Sequence, residues 1–566
     1  MSSYVTYEVR HITDLRDMLR TSTDMYAEKD AFLQKADGAY RGITYATLRR
    51  DVEALGTELW GRGLSGKRII VTGENCYAWC IAYLAVICGL GVVVPVDREI
   101  PAEELANIAA VSEASAVLYA ASASAKVDTL PENIMRIPFA TLPELIEAGN
   151  ARLLSGEKEY LDAPIDRDAM SALLFTSGTT GVSKGVMLSH RNICFNLEEM
   201  CRMLYIGPED VFLSVLPIHH AYECTCGFLC QIYRGTTVAF CEGLRYITRN
   251  MKEVHPTKIC CVPMLVESMY HKIWANIRKK GMEKKVNTAI KISRALRKVG
   301  IDMTRKLFAE IHASFGGRLN TLIAGGAAVD PAVLRGLRDF GILAVQGYGL
   351  TECAPLAALN SDNFYRDDSA GLATPNTVLD IYNPREDGTG EIRFKGENIM
   401  LGYYNDPELT AEVKRGEWLY TGDLGYIDGD GFLHITGRKK NVIVTNGGKN
   451  VFPEELETYL SRSPYVKESV IVGIPNEQKK DYDIVAVIVP DTDRFAEEFG
   501  EAVTDELIHE KLAAAVAEVN ATVQNYKRMD LFLRRDEEFE KNTSRKIKRA
   551  GILESVMPDY IAQTRG

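Results

Sequence analysis

Short apolar runs alternate with stretches of helical periodicity along residues 1–166. Residues 44–59 place apolar side chains three and four positions apart, as an amphipathic helix does. Residues 68–72 and 116–119 are compact apolar runs, the first followed by a glycine, and they predict strands. Helices that alternate with strands are typical of a largely parallel sheet that is covered on both faces.

One segment is apolar enough to raise the question of a membrane-spanning helix. Residues 76–96 contain no charged side chain, which on length alone would allow a transmembrane span. Two glycines interrupt the segment and Asp97 follows it, which favours a buried helix over residues 76–88 and a strand over 92–96. The first residues lack a basic stretch followed by an apolar one, so we expect a soluble protein without a signal peptide.

The composition limits the classes of function. A chain of 566 residues exceeds one compact core, so about two to four domains are expected. The formal net charge of −11 argues against general binding to nucleic acid. Twelve cysteines scattered unevenly over this length do not form a disulfide scaffold, and they fit reduced thiols in the cytoplasm.

The most informative stretch is residues 173–190, where an apolar run leads into a loop of hydroxyl-bearing residues and glycines. Hydroxyl groups donate hydrogen bonds, and glycines allow backbone N–H groups to approach an anion closely. Lys184 adds a mobile positive charge, so the loop predicts a site for a polyphosphate, although its spacing is not that of the Walker A loop. The candidate residues are Thr176, Ser177, Gly178, Thr179, Thr180, Gly181 and Lys184.

A second chemical pattern follows a predicted strand at residues 343–346. An aromatic residue between two glycines offers a flat face and a close backbone edge to an adenine ring. The threonine that follows can donate a hydrogen bond to an α-phosphate oxygen, and the carboxylate of the next residue, Glu352, can bind Mg²⁺, which prefers oxygen ligands. The candidate residues of this segment are Gln346, Gly347, Tyr348, Gly349, Thr351 and Glu352.

A cluster of histidines and cysteines follows a strand-like run that ends at a proline. His219 and His220 come first, and Cys224, Cys226 and Cys230 lie close behind. The cysteine spacings differ from the Cys-x-x-Cys pattern of structural zinc sites. If this stretch is helical, the last two cysteines share one face and pack as small apolar side chains. We therefore expect buried thiols and no zinc.

Residues 276–306 are strongly basic. They contain eleven lysines and arginines but only two acidic residues, a local charge of about +9 in an acidic protein. Apolar and small residues on one stripe predict an amphipathic helix: Val286, Ala289, Ile290, Ser293, Leu296 and Val299. Two interpretations stay open at this point, a solvated helical face and a surface that contacts anionic lipid.

Several blocks, in order along nearly the whole chain, closely resemble the adenylate-forming superfamily. The matching blocks lie at residues 173–190, 346–352, 390–396, 402–408, 418–423 and 540–549. The first resembles the phosphate-binding signature, with Ser183 where the superfamily usually has a proline. His220 matches the histidine of a Pro-x-x-His motif beside the acyl pocket. Glu223 and the basic insertion resemble the long-chain fatty acyl-CoA synthetases in particular.

The resemblance implies roles for further residues. The carboxylate of Asp423 would accept hydrogen bonds from the ribose hydroxyls of the nucleotide, and Arg438 would also contact the ribose. Gly326, in a Gly-Gly-Ala-Ala turn, belongs to the implied nucleotide site. Lys440 would be the hinge about which a small domain rotates between two half-reactions. Gly448 would line a tunnel for the pantetheine arm of coenzyme A.

The superfamily also has a terminal Gly-Lys motif, whose lysine contacts the substrate carboxylate and the α-phosphate. Lys546 is in register with that lysine, although Arg545 stands in place of the glycine. Lys541 and Lys548 are nearby competitors for the role. The implied catalytic residues are Lys546, Thr351, Glu352 and His220.

The implied fold is α/β in two domains. The larger, residues 1–437, would bind AMP and the acyl group, and would contain parallel-rich sheets with helices plus a distorted β-subdomain. The smaller, residues 438–566, would be a mobile α+β domain with its hinge near Lys440.

The implied function is the ATP-dependent activation of a medium- or long-chain fatty acid, through an acyl-adenylate, to its acyl-CoA. The reaction would use ATP, Mg²⁺ and coenzyme A and release AMP and pyrophosphate. We expect a cytoplasmic enzyme, and peripheral contact to a membrane through residues 276–306 stays open. Three rival functions also stay open: an acyl-AMP ligase that loads a carrier protein, an aryl- or short-chain-acid ligase, and a nucleotide-binding protein without enzymatic activity.

Overall fold

Two sheets form the body of the larger part of the protein. The structure is a computed structural model and describes residues 5–176, 183–446, 449–476, 478–541, 547–549 and 551–565. Sheet I is parallel from Leu343–Tyr348 across to Asp30–Ala36 and antiparallel at both edges. Its strands in spatial order are Leu372–Ala373, Ala358–Leu359, Leu343–Tyr348, Thr321–Ala324, Lys258–Cys261, Val211–Ser214, Thr237–Phe240, Asp30–Ala36 and Ala39–Thr44.

Sheet II contains the two strands that flank the glycine-rich loop. It is parallel from Met170–Thr176 to Met135–Pro138, and Lys184–Ser189 returns antiparallel to Met170–Thr176. The short strand Gly402–Tyr403 pairs with Lys184–Ser189, so Tyr403 lies next to the end of that loop. The spatial order is Gly402–Tyr403, Lys184–Ser189, Met170–Thr176, Gly91–Val96, Lys67–Thr72, Ala116–Tyr119 and Met135–Pro138.

Neighbouring residues of one strand belong to different hydrophobic clusters, so both faces of each sheet are covered. Ile69 and Val71 pack into one cluster and Ile70 into another, and Cys260 and Cys261 divide in the same way in sheet I. A strand buried on both faces has no polar side, which explains the apolar runs that predicted these strands. The α-helices of this part are Leu15–Tyr26, Tyr45–Gly61, Tyr77–Ala85, Ala102–Val111, Ser124–Val127, Leu142–Leu154, Glu159–Asp162, His190–Met203, Cys230–Arg234, Ile247–Val254, Pro263–Lys279, Glu283–Lys298, Thr304–Leu307, Ala309–Ser314, Pro331–Asp339 and Pro407–Val413.

The long uncharged segment of the N-terminal half is a buried helix and strand, as its pattern predicts. The helix Tyr77–Ala85 leads through a π-helical turn, Val86–Leu90, into the parallel strand Gly91–Val96. Gly89 adopts a φ of +141°, and a Cβ atom there would lie 2.2 Å from Nη2 of Arg16, so the turn requires glycine. Across the described ranges, no helix is long and apolar enough to cross a membrane.

An antiparallel sheet, sheet III, forms the β-subdomain that the resemblance implies. Asp423 and Arg438 are register partners on two of its strands. Side chains directly opposite each other on paired strands are close enough to interact, so this register brings the two residues together. The strands of sheet III are Val378–Tyr382, Gly390–Lys395, Trp418–Ile427, Lys414–Arg415 and Leu433–Arg438.

Residues from 443 onward pack around a core of their own. Among the described residues, the two hydrophobic clusters of this part draw on residues 443–560, whereas the other clusters end at Leu433. Its strands are the pair Ile443–Val444 and Asn450–Val451 and, in sheet IV, Val466–Asn476, Asp481–Pro490 and Leu531–Arg534. Its α-helices are Pro453–Leu460, Thr492–Phe499, Asp505–Thr522 and Ile552–Arg565. The α/β fold with a smaller α+β part is confirmed, while the domain bounds 1–437 and 438–566 and the mobility of the smaller part stay predictions.

The basic insertion is helical, and most of its predicted apolar stripe faces the core. The helix Glu283–Lys298 buries Val286, Ile290 and Ser293. The prediction is wrong for Val299, which is 70% exposed, because it follows Val286 by thirteen residues, a rotation of about 220° that places it on the opposite side of the helix.

Candidate active site

The glycine-rich loop joins two paired strands of sheet II. Thr176 and Lys184 are register partners at its two ends. Ser183, just before Lys184, donates a hydrogen bond from its hydroxyl to Oε1 of Glu104, at 2.6 Å. The other predicted residues of the loop, Ser177, Gly178, Thr179, Thr180 and Gly181, lie outside the described residues, so their contacts with phosphate stay predictions.

Tyr403 contacts both Glu352 and Lys184, which belong to separate motifs in the sequence. Its hydroxyl donates a hydrogen bond to Oε1 of Glu352, at 2.7 Å, and the Nζ atom of Lys184 lies 5.6 Å from the centre of its ring. Burial, together with the adjacent Glu352 carboxylate, raises the pKa of Tyr403 above its usual value. The hydroxyl therefore stays a donor at neutral pH and fixes the direction of the carboxylate. Sequence reasoning noted the surrounding block but missed this residue.

Glu352 and Thr351 lie on a single 3₁₀ turn, Thr351–Cys353, after a strand of sheet I. In the part of the chain that the structure describes, no group of three or more His, Cys, Asp or Glu side chains could hold a metal ion. One carboxylate beside a hydroxyl fits Mg²⁺, which commonly takes one or two protein carboxylates and obtains its remaining ligands from substrate phosphates and water.

A buried carboxylate connects the predicted adenine and ribose residues. Asp423 is 4% exposed; its Oδ2 accepts a hydrogen bond from the hydroxyl of Tyr348 at 2.7 Å, and its Oδ1 lies 2.9 Å from Nε of Arg438. Burial, and to a lesser degree the Asp423 charge, raise the pKa of Tyr348 well above its usual value, so its hydroxyl stays protonated. The structure thus brings together three residues that lie far apart in the sequence.

Glycines give the backbone beside Tyr348 its close packing. A Cβ atom at Gly349 would lie 1.7 Å from the carbonyl oxygen of Pro355, and one at Gly347 would lie 2.9 Å from Cδ1 of Leu359. Gly326 has a φ of +91°, in the left-handed region that favours glycine, with open space around its Cα. This openness fits a ligand that approaches the turn.

The side chain of Gln346 holds two segments beside this site. Its Oε1 accepts a hydrogen bond from the backbone N–H of Val329 at 3.0 Å. Its Nε2 donates to the carbonyl oxygens of Asp367 and Ser369, each at 2.9 Å. These contacts use both N–H donors of the amide, so the side chain positions the turn after Gly326, and direct contact of Gln346 with a nucleotide stays a prediction.

Several positive charges lie close to Lys440, two residues after the last strand of sheet III. Partial burial lowers the pKa of Lys440, and the nearby charges of Arg438, Lys184 and Arg549 lower it further, whereas Asp423 acts in the opposite direction. Like charges that lower a neighbour's pKa repel one another, and an anion placed among them would relieve that repulsion. The cluster therefore fits a polyphosphate or an adenylate, whose binding here stays a prediction.

His220 lies in a loop after a strand of sheet I, with its ring centre 4.1 Å from that of His219. Asn75 fixes this loop, because its Nδ2 donates to the carbonyl oxygen of Leu216 at 2.7 Å and its Oδ1 accepts from the N–H of Ile218 at 3.1 Å. The contact of His220 with an acyl group stays a prediction.

Glu223 follows this loop and is fully buried. Its Oε1 accepts a hydrogen bond from the hydroxyl of Ser214 at 2.6 Å, and burial raises its pKa to about 8, so the carboxyl is largely protonated at neutral pH. Cys224, Cys226 and Cys230 are buried, as expected. Burial raises the pKa of Cys224 and Cys226, and the contact with the thiol of Cys201, followed by burial, raises that of Cys230. The predicted helix around them is a π-helical turn, Glu223–Leu229, followed by the α-helix Cys230–Arg234.

Lys546 and Gly448 lie outside the described residues, but the two competitors of Lys546 do not. Lys541 forms ion pairs with Glu468 and Glu538, and Lys548 forms one with Glu540. Both lysines are therefore paired with acidic residues of their own part of the chain, and the role of Lys546 stays a prediction.

Comparison with known protein families fits this geometry. A family model described as "AMP-binding enzyme" matches residues 19–404, and a model described as "AMP-binding enzyme C-terminal domain" matches residues 440–557. The chain belongs to the AMP-binding enzyme family. Within it, the chain is an AMP-forming acid–thiol ligase, as are the acyl-CoA synthetases among its relatives.

The curated relatives differ in the acid that their names give. A long-chain-fatty-acid–CoA ligase of Mycobacterium bovis, FadD15, is 27% identical over 570 residues, which cover 93% of each chain. A feruloyl-CoA synthase of an Amycolatopsis species is 29% identical over 463 residues, 79% of this chain and 84% of the relative.

Solved structures share the fold at low identity. The anthranilate CoA ligase AuaEII, in complex with anthranoyl-AMP, superposes with a TM-score of 0.77 at 17% identity over 99% of both chains. A fatty acyl CoA synthetase of Mycobacterium tuberculosis superposes with a TM-score of 0.65 at 23% identity over 97% of this chain and 99% of that one.

The bond between Tyr403 and Glu352 generates a test. Tyr403→Phe removes only the hydroxyl, and we expect acid-dependent ATP–pyrophosphate exchange to fall about 10- to 100-fold, because a hydrogen bond to a charged group contributes about 1.5–3 kcal/mol. The matched control is Tyr404→Phe, the next residue, whose ring lies 5.5 Å from the guanidinium of Arg68. Equal exchange rates in both variants would show that the Glu352 contact has no part in adenylation.

Proposed function

We propose that this protein activates a medium- or long-chain fatty acid to its CoA thioester through an acyl-adenylate. The observation that carries the proposal is the cluster in which Asp423 binds Tyr348 and Arg438 while Lys184 and Lys440 lie close by. It combines an aromatic ring, a buried acceptor for hydroxyl groups and several cations, which are the partners that the adenine, ribose and phosphates of ATP require.

In the first half-reaction, a carboxylate oxygen of the acid attacks the α-phosphorus of ATP. A new P–O bond forms as the bond to pyrophosphate breaks, so no covalent enzyme intermediate is needed. Carboxylate and phosphate repel each other at contact distance, and the cations Lys184 and Lys546 with the hydroxyl of Thr351 would offset that repulsion. Mg²⁺ held by Glu352 would supply Lewis-acid stabilisation of the phosphate charge when bound.

In the second half-reaction, the sulfur of the CoA thiolate attacks the acyl carbonyl carbon. The bond from that carbon to the phosphate oxygen breaks, and AMP leaves with the oxygen that came from the acid. Rotation about Lys440 would carry the smaller part of the chain between the two steps, bring Gly448 to the pantetheine arm and exclude water from the mixed anhydride. We infer that the reaction takes place in the cytoplasm.

The identity of the acid is the finer part of the proposal. One relative, which the match covers over 93% of its length, is named a long-chain-fatty-acid–CoA ligase. That name supports a fatty acid as the substrate of this protein. A second candidate, an aryl acid, is favoured by the feruloyl-CoA synthase relative and the anthranilate ligase neighbour. A carrier protein in place of CoA is the second candidate for the acceptor.

Release of AMP and pyrophosphate with acetate, benzoate, octanoate, palmitate and oleate, each with and without CoA, distinguishes these candidates. We expect the highest turnover with octanoate, palmitate or oleate, and AMP release only when CoA is present. Highest turnover with benzoate would show that the substrate is an aryl acid and would contradict the proposed fatty acid. Pyrophosphate release that leaves bound acyl-AMP but forms no CoA thioester would assign the acyl group to a carrier protein.

The role of Lys546 has a separate test with two matched controls. Lys546→Ala should lower adenylation by about 10²–10³-fold, the usual effect of removing one group that stabilises transition-state charge, while thioester formation from supplied acyl-adenylate continues. Lys541→Ala and Lys548→Ala should keep adenylation near the wild-type rate, because their ammonium groups are engaged by Glu468, Glu538 and Glu540. Loss of adenylation in either control, with Lys546→Ala active, would move the role to that lysine.

A further inference from the structure

The helix Glu283–Lys298 is held in one orientation by buried contacts and by an ion pair. Val286 and Ile290 pack into a hydrophobic cluster of the larger part of the protein, and the hydroxyl of Ser293 lies 3.0 Å from that of Thr304. Arg294 donates two hydrogen bonds to Asp339, from Nε at 2.8 Å and from Nη2 at 2.5 Å. The opposite face of the helix must therefore point to solvent.

Three exposed lysines recur along that outward face. Lys284, Lys291 and Lys298 are seven residues apart, and this spacing returns to nearly the same direction every two helical turns. The ammonium groups span about 21 Å along the helix axis at about 1.5 Å per residue. Within the described residues, none of these three ammonium groups forms a hydrogen bond or salt bridge, so their charge is available to a partner.

Apolar side chains lie among these lysines on the same outward face. Ile292 is 49% exposed, and Val299, at the end of the helix, is 70% exposed. Ala295 lies on the same face and is also exposed. We call Lys284, Lys291, Ile292, Ala295, Lys298 and Val299 the lysine face. Lysine side chains can lay their alkyl stems along an apolar surface while the ammonium group reaches a charged layer.

We propose that the lysine face docks the protein onto an anionic lipid bilayer. Aliphatic residues flanked by lysines on one helix face are the pattern of helices that lie in the membrane interface. The local charge of residues 276–306 is positive in a chain whose net charge is −11, so an anionic surface would attract this face and repel the remainder. The proposal goes beyond the activity proposed above and does not depend on the acid.

The composition of the surface favours a bilayer over a nucleic acid or an acidic protein. Single-stranded nucleic acids are commonly bound by aromatic stacking together with arginine. Both neighbouring arginines, Arg294 and Arg297, are instead engaged by Asp339. The exposed aliphatic residues supply the apolar contact that a purely electrostatic partner would not need.

Flotation of the purified protein with lipid vesicles tests the proposal. We expect binding to phosphatidylcholine vesicles that contain about 30% phosphatidylglycerol, at about 0.1 M salt, and little binding to phosphatidylcholine alone. Lys284→Glu/Lys291→Glu should lower the partition coefficient by about tenfold or more, because each lysine near an anionic surface contributes about one factor of five. Ile292→Ser/Val299→Ser should lower the binding that survives at high salt, where charge attraction is screened.

The matched control is Lys67→Glu/Lys158→Glu, which makes the same change in net charge at two exposed lysines outside the basic segment. This control should bind anionic vesicles as the wild type does. Equal loss of binding in both double variants would show that only the net charge of the protein matters, and this would overturn the proposal. A wild-type protein that binds neither kind of vesicle would also overturn it. Binding of the lysine face to an acidic carrier protein without binding to vesicles would also overturn it.

A folding check keeps the result independent of the enzymatic proposal. The thermal unfolding midpoint of Lys284→Glu/Lys291→Glu should match that of the wild type, because both side chains are exposed and outside the core. Vesicle binding is then compared between folded proteins, whichever acid is activated.

Discussion

The buried carboxylate of Asp423 is the contact on which the arrangement of the site depends. It lies in sheet III, yet it accepts a hydrogen bond from Tyr348 at the end of a sheet I strand and pairs with Arg438, two residues before Lys440. A buried carboxylate that lost these partners would cost about 3–5 kcal/mol, far more than a surface ion pair contributes. This side chain therefore links the β-subdomain to the main sheet and holds the strand end that precedes Lys440.

Positively charged side chains lie around the same carboxylate. Lys184 lies on sheet II, and Arg438 and Lys440 lie at the end of sheet III. Arg549 belongs to the smaller part of the chain, where it pairs with Glu457. Partial burial lowers the pKa of Lys440 most, and the neighbouring positive charges lower it further. An anionic ligand placed among these cations would relieve their repulsion, which is the arrangement that the proposed nucleotide site requires.

Local patterns in the sequence were sufficient for the strands at residues 68–72, 92–96, 116–119 and 343–346 and for the buried segment at residues 76–96, while the roles of the motif residues stay predictions. The glycines of a tight loop can be recognised from the sequence, because the backbone conformation that requires them is a local property of the chain. The hydrogen bond between Tyr403 and Glu352 could not be predicted. It joins an edge strand of sheet II to the turn that follows a sheet I strand, and nothing in the sequence of either segment indicates that the two are close in space. The raised pKa of Glu223 likewise depends on burial by distant segments. Val299 was assigned to the wrong side of its helix, since its spacing from Val286 directs it away from the core.

The central claim is that the acid becomes an acyl-adenylate, and an isotope experiment tests it most directly. The acid is labelled with ¹⁸O in its carboxylate, a single turnover is run with ATP and CoA, and the released nucleotide and phosphates are analysed by mass spectrometry. The account predicts one ¹⁸O atom in AMP, because the oxygen that attacked the α-phosphorus leaves with it, and none in pyrophosphate. Label in inorganic phosphate with formation of ADP, or no label in any phosphate, would contradict the account.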